Sequence, residues 1–189
     1  MRTLLIDNYD SFTYNLFHLL KSSLPQNEII DIVKNDRITI QDAMSYHHII
    51  VSTGPGIPSE AGNLMSIIKG IAGQRPLLGI CLGHQALAEC FGASLYQLPH
   101  PIHGGVEKIM LHRSALFDGL PQFSNVARYH SWVVNRESLP PSLKVIAEMQ
   151  TGEVMAISHR EWPMYGLQFH PESFVTEYGS RMIQNFYKV

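Results

Sequence analysis

Residues 75–90 read RPLLGICLGHQALAEC, and this stretch decides how the chain folds. The apolar run 77–80 follows Pro76 and stops at Cys81. A short continuous run of this kind is a strand buried on both faces. Residues 84–91 carry the spacing of a helix. Between the two, Gly79-Ile80-Cys81-Leu82-Gly83 places a cysteine in a G-x-C-x-G frame. Glycines on both sides leave room for a sharp strand-to-helix turn and for a close approach of the backbone. One such unit predicts an α/β architecture.

Working outward, strands are expected over 2–6, 29–33 and 49–51, with helices over 11–20, 41–45 and 60–71. Strands alternating with helices predict right-handed crossovers and a parallel sheet covered on both faces. Past Gly92 the character changes. Runs at 94–98, 107–111, 126–129, 144–148, 154–158 and 165–169 read as strands joined by turns, and a last helix is expected over 176–187. The expected fold is a single domain over 1–189. It is an open, mostly parallel twisted sheet of the flavodoxin-like kind, with helices on both faces and additional antiparallel strands.

The 189 residues are 45% hydrophobic and 16% charged, ample for a buried core without disulfides or structural metal. A net charge of −2 gives no basic surface for nucleic acid. Only Cys81 and Cys90 are present; two thiols in one segment suit a reducing compartment rather than a disulfide framework. The N-terminal apolar run ends at Asp7 with no cleavage-site pattern, so a signal peptide is not expected. The apolar stretch 76–99 is interrupted by His84, Gln85 and Glu89 and is no membrane span. A cytoplasmic protein is expected, with no membrane or nucleic-acid partner.

Three segments carry chemistry. Cys81, on its turn at the carboxyl edge of the sheet, has the N-terminus of the next helix beside it, which favours thiolate. The bland alternative is a small buried core cysteine, the reading adopted for Cys90. His170-Pro171-Glu172-Ser173 follows the apolar run 166–169. Pro171 biases His170 towards extended backbone, and residues two apart in an extended chain share a side. Glu172 can thus orient the His170 imidazole. The alternative is a plain loop in which Glu172 caps the last helix. Gly54-Pro55-Gly56-Ile57-Pro58 forms a turn at the same sheet edge. It can aim a backbone N–H at a developing oxyanion, with the N–H of Leu82 as second donor; alone it is only a tight turn. No phosphate-loop pattern is present. His100 and His103 lack Cys or acid companions, so no metal or other cofactor is expected.

Together these segments resemble the class I, triad-type glutamine amidotransferases, over nearly the whole chain from Leu4 to Phe186. The strongest motifs lie at 79–85 and 168–173. Asp7-Asn8-Tyr9-Asp10-Ser11-Phe12-Thr13-Tyr14-Asn15 and Arg128-Tyr129-His130-Ser131 are similar to the chorismate-utilising branch, as is the ending Asn185-Phe186. That branch holds the glutaminase components of anthranilate synthase and aminodeoxychorismate synthase. The resemblance implies that Cys81 attacks the glutamine amide and forms a glutamyl thioester. His170, held by Glu172, would protonate the leaving ammonia and activate water. Gly56 and Leu82 would supply oxyanion N–H groups. Gly54, Pro55 and Gly56, the Gln85 side chain and the backbone at Ser131 and Trp132 would bind L-glutamine. Locally, Asp10 or Ser11 is also a good cap for the first helix.

The chain departs from the family pattern at three places. Thr53 stands where Pro is common, Trp132 where Leu is usual, and Gly105 where Lys ends a His-Gly-Lys. A partner is implied, because no motif is left over for a chorismate-sized acceptor. The resemblance assigns that role to a chorismate-binding synthase, with segment 7–14 and the loops beside Cys81 as the docking face. A fused synthetase domain is not expected at this length. Residues 159–162, followed by Gly166, lean towards the aminodeoxychorismate branch. Two rivals stay open: a stand-alone γ-glutamyl peptidase using the same Cys and His, and a non-catalytic flavodoxin-like module with a redox-sensitive Cys81.

Overall fold

The computed structural model describes residues 1–102 and 104–189. The expectations on His103, in the His100 pair and before Gly104-Gly105, fall on a residue outside that range. Strands β1 (Arg2–Asp7), β2 (Ile29–Lys34), β3 (His48–Val51) and β4 (Leu77–Ile80) are separated by helices α1 (Phe12–Ser23), α2 (Ile40–Ala43) and α3 (Leu64–Ile71). Helix α4 (Leu82–Cys90) leads into β5 (Leu95–Gln97), β6 (Gly105–Leu111), β7 (Phe123–Arg128) and β8 (Trp132–Val134). Strands β9 (Leu143–Met149), β10 (Val154–His159) and β11 (Met164–Leu167) and helix α5 (Gly179–Phe186) follow.

Nine strands form one sheet in the order β2-β1-β3-β4-β11-β10-β9-β6-β7. The first five run parallel, and the remaining pairings are antiparallel. Strands β5 and β8 make a separate antiparallel ribbon. The expected α/β fold is therefore observed. Side chains alternate across the sheet as a period of two demands. Leu4, Ile6, Ile49, Val51 and Leu77 pack under α3 and α4. Leu5, Ile50, Leu78 and Ile80 pack against α1 and α5.

Three expectations need correction. The helix expected over 60–71 is interrupted: a 3₁₀ turn spans Pro58–Glu60 and α3 begins only at Leu64. Gly62, at φ +54°, breaks the helical backbone between them. Strand β8 has no counterpart among the expected strands, because Trp132 reads as part of a binding turn. The strand expected over 126–129 starts earlier, at Phe123.

Two glycines decide how close α4 lies to the sheet. Gly79 and Gly166 are register partners on β4 and β11. A Cβ on Gly79 would meet the Gly83 carbonyl oxygen at 2.3 Å, and one on Gly166 would meet His84 Nδ1 at 2.7 Å. The helix therefore seats on a glycine pair, with Gly83 against Val51. This brings the start of α4 to the carboxyl ends of β3, β4 and β11.

Candidate active site

Cys81 links β4 to α4 with φ 50° and ψ −97°, outside the regions open to an L-residue. Such strain persists only where the surroundings over-determine it. Here the Cys81 N–H donates to the Leu167 carbonyl at 2.7 Å, and its own carbonyl accepts from the Gln85 N–H at 3.1 Å. The side chain is buried, and the Leu82 N–H lies in the first turn of α4, where backbone donors have no intrahelical partner.

His170 follows β11 by three residues, and β11 lies directly beside β4. The adjacency of two strands thus delivers an imidazole to the sulfur. His170 Nδ1 and Glu172 Oε1 are 2.7 Å apart, with both side chains buried. Glu172 is therefore committed to the imidazole and does not cap α5, which starts at Gly179. The His170 backbone is pinned by the Ala127 carbonyl at 3.1 Å and by the Thr176 hydroxyl, which donates to its carbonyl at 2.6 Å. Burial disfavours the imidazolium, but interaction with Cys81 and with Glu172 outweighs burial and raises the His170 pKa to about 10. Nε2 has no partner in full hydrogen-bonding geometry. Catalytic hydrogen bonds of this kind often tighten only when substrate is bound. Cys90 is the contrast: burial pushes its thiol up to about 11, and it faces Met65.

Cys81 opens into a small cleft of about 150 Å³ lined by Gly54, Pro55, Gly56, Gln85, Ser131 and Trp132, with Tyr129 and His130. All the residues expected at the site from Gly54 to Trp132 except Leu82 thus border one cavity. Gly56 has φ +72°, which suits glycine. A Cβ on Gly54 would lie 2.5 Å from Leu82 Cδ2 and 2.7 Å from Asn8 Cβ. A larger cleft of about 600 Å³ at Arg113, Lys144 and Asn185 shares no residue with the Cys81 cleft.

The 7–15 segment has a structural task here. Asp7 Oδ1 accepts from the Tyr9 N–H and the Thr13 hydroxyl, and Asn8 Nδ2 donates to the Ser52 carbonyl at 2.8 Å. This bolts the segment to the end of β3, directly under the Gly54 turn. Asp10, not Ser11, caps α1: its Oδ1 accepts from the Phe12 N–H at 2.8 Å. Phe12 and Tyr129 meet the His170 ring edge-on, at centroid distances of 5.3 and 5.0 Å. Sequence reasoning does not single out either ring, although both lie within the 7–15 and 128–131 motifs.

The glutamine amidotransferase class-I profile matches residues 4–189. The chain belongs to the class I glutamine amidotransferase family. It is 42% identical over 186 residues to anthranilate synthase component 2 of Azospirillum brasilense, covering 97% of this chain and 93% of that one. It is 42% identical over 185 residues to aminodeoxychorismate synthase component 2 of Escherichia coli (strain K12), covering 97% of each. The bifunctional protein TrpGD of Thermotoga maritima is 40% identical, and there the chain spans 32% of the longer protein. Among solved structures, a Thermoplasma acidophilum protein assigned as a GMP synthase subunit superimposes with a TM-score of 0.87. Its identity is 27%, over 100% of this chain and 92% of that one. Among the described residues no helix is long and apolar enough to cross a membrane.

The amidotransferase frame also explains segment 159–162. His159 stacks on Trp162 at 4.3 Å, and its Nδ1 accepts from the Glu161 and Trp162 N–H groups. This turn enters β11 from the end opposite Cys81, so its residues report local packing. Gly166, further along the same strand, is the seat of His84.

Proposed function

We propose that the chain is the glutaminase subunit of a chorismate-utilising synthase, hydrolysing L-glutamine to glutamate and ammonia and delivering the ammonia to a separate synthase subunit. The observation that carries this reading is the convergence of a strained Cys81 (φ 50°), the His170–Glu172 pair at 2.7 Å and the Gly54–Trp132 cleft on one sheet edge.

Cys81 Sγ attacks the side-chain amide carbon. The oxyanion is held by the Gly56 and Leu82 N–H groups; one such donor contributes about 3–4 kcal/mol in a comparable acyl transfer. The His170 imidazolium gives its Nε2 proton to the leaving nitrogen, releasing ammonia and leaving a glutamyl thioester. Neutral His170 then takes a proton from water as it attacks the thioester, and Cys81 is regenerated. Both Nε2 protons of Gln85 are already used, on the Trp132 carbonyl and Gln168. Only its Oε1 is left to accept, which suits the α-ammonium of the substrate. Gly54, Pro55 and the backbone at Ser131 and Trp132 complete the walls of the cleft.

The docking face for the synthase is the sheet edge around the cleft. Tyr9, Tyr14, Phe174 and Tyr178 are exposed there, Phe174 by 97%. Aromatic groups in such numbers around a catalytic edge are interface anchors. Relatives bearing the anthranilate and the aminodeoxychorismate names are equally similar, so either type of synthase fits as acceptor. The whole chain acts as one domain in the cytoplasm, where a nucleophilic thiol stays reduced.

The test is glutamate release by the purified chain, alone and with each synthase, with Cys81→Ser as blank. Cys81-dependent release stimulated by one synthase is expected, and it names the pathway. Cys81-dependent cleavage of γ-glutamyl peptides without stimulation by any synthase would refute the assignment.

A further inference from the structure

The sulfur of Cys81 has a second polar neighbour besides His170. Gln168, wholly buried two residues before the histidine, places Nε2 3.6 Å from Cys81 Sγ. An amide can face a sulfur with either end, so its orientation must be argued. The surrounding hydrogen bonds fix it. The Trp132 carbonyl can only accept, so the Gln85 amide turns its Nε2 there, at 2.8 Å. The same Nε2 lies 3.2 Å from Gln168, which must therefore present its Oε1 to Gln85 and its N–H to the sulfur.

A further arm locks this arrangement from behind. Arg128 is buried to 2% exposure and pairs with Glu153 at 2.7 Å. Its Nε–H, 3.2 Å from His130 Nε2, can only donate. His130 Nε2 must therefore accept, and the ring's single proton sits on Nδ1, donating to the Trp132 carbonyl at 3.1 Å. Burial and the Arg128 charge hold the His130 pKa down at about 3, so this tautomer stays neutral. Two donors converge on one carbonyl, and every bond in the chain has its direction set by a group with a single role.

We propose that Gln168 is a further catalytic residue, donating its side-chain N–H to the Cys81 sulfur and stabilising the thiolate, with Arg128, His130 and Gln85 as the positioning residues that fix its orientation. The triad explains how His170 gains its proton. This second donor gives the sulfur a polar contact besides the imidazole. The inference rests on the glutaminase reading of the site.

The experiment compares Gln168→Leu and Gln168→Glu with the unaltered chain, using Cys81→Ser as blank. Three quantities are read: the thiolate ultraviolet absorbance at neutral pH, the rate of Cys81 alkylation by iodoacetamide, and kcat and KM for glutamine with the synthase present. A hydrogen bond to an ionised acceptor predicts a roughly tenfold or larger fall in alkylation and kcat for Gln168→Leu. KM should stay within about threefold of its original value. Gln168→Glu retains the size and the acceptor for Gln85 but sets an anion against the sulfur. It is expected to fall further than the leucine variant, and it carries the test if Gln168→Leu does not fold. Unchanged alkylation in either folded variant, or a loss confined to KM, would overturn the proposal. Absence of glutaminase activity in the unaltered chain would instead overturn the functional reading, while the alkylation comparison still reports on Gln168.

Discussion

Replacing Glu172 by glutamine removes one negative charge from a site where water cannot take its place. The carboxylate Oε1 stands 2.7 Å from His170 Nδ1, and the two side chains are 0% and 3% exposed. The carbonyl of the substituted amide can still accept from Nδ1–H, and its NH₂ falls where Oε2 has no partner to lose. The change therefore converts a charge-assisted bond into a neutral one. The charged form is worth about 1.5–3 kcal/mol and the neutral form about 1, a loss of roughly 0.5–2 kcal/mol. The His170 imidazolium also loses the carboxylate whose hydrogen bond and charge help to raise its pKa. The expected result is a fall in kcat of roughly 2- to 30-fold. Glu172 does not line the cleft, so KM should move by less than about twofold. Glu172→Ala removes the acceptor altogether and strands a buried N–H, taking the loss to roughly 10²- to 10³-fold. Glutaminase kinetics with the synthase present, at several glutamine concentrations, read both parameters. A kcat change below about twofold for Glu172→Gln, or a loss appearing only in KM, would refute the claim that Glu172 acts through His170.

Gly79→Ala should destabilise the fold by about 3 kcal/mol or more, because its Cβ would sit 2.3 Å from the Gly83 carbonyl oxygen and only backbone could move; urea unfolding measures this. His84 and His130 are buried and neutral, with pKa values held at about 4 and about 3, largely by burial. Their stabilisation is complete above the ordinary value near 6.5 and is lost as pH falls through the folded values, with roughly 3 kcal/mol from His84 alone. Urea midpoints between about pH 7.5 and pH 4 should fall accordingly, and a flat profile would contradict it. His170 has the opposite sign: its share is present below the ordinary histidine value and fades as pH rises through about 10. Phe174→Ser should leave stability within about 0.5 kcal/mol while weakening stimulation by the synthase, because the ring is 97% exposed beside the triad. Unaltered stimulation would remove this face from the interface.

The strand–elbow–helix at 77–90 is legible because each feature acts locally. An apolar run, two glycines and a cysteine dictate their own turn, and the strand bounds match residue for residue. The gap in the 60–71 helix is not legible. Gly62 is tolerated in a helical pattern, and only the 3₁₀ turn before it and the close approach of Asn35 make its positive φ the better solution. At the candidate site, Cys81, His170 and Glu172 can be read because their motifs are contiguous. The Glu153–Arg128–His130 arm joins residues 25 apart and two apart through side chains whose burial no local pattern announces. His84 misleads in the other direction: it lies in the most informative motif, yet it faces Gly166 and the sheet rather than the cleft.

The placement of β11 beside β4 has a consequence for how activity first arises. Cys81 and Gln168 stand 87 positions apart in the chain, and contacts of such separation form late, after local units have closed. The parallel layers of β1 to β4 can condense first, but until β11 arrives Cys81 lacks both the Leu167 carbonyl that holds its turn and the His170 imidazole. Its reactivity begins when β11 docks beside β4. The rate at which Cys81 acquires fast alkylation during refolding therefore clocks the closing of the sheet's central seam, separately from the earlier collapse that fluorescence or circular dichroism would follow.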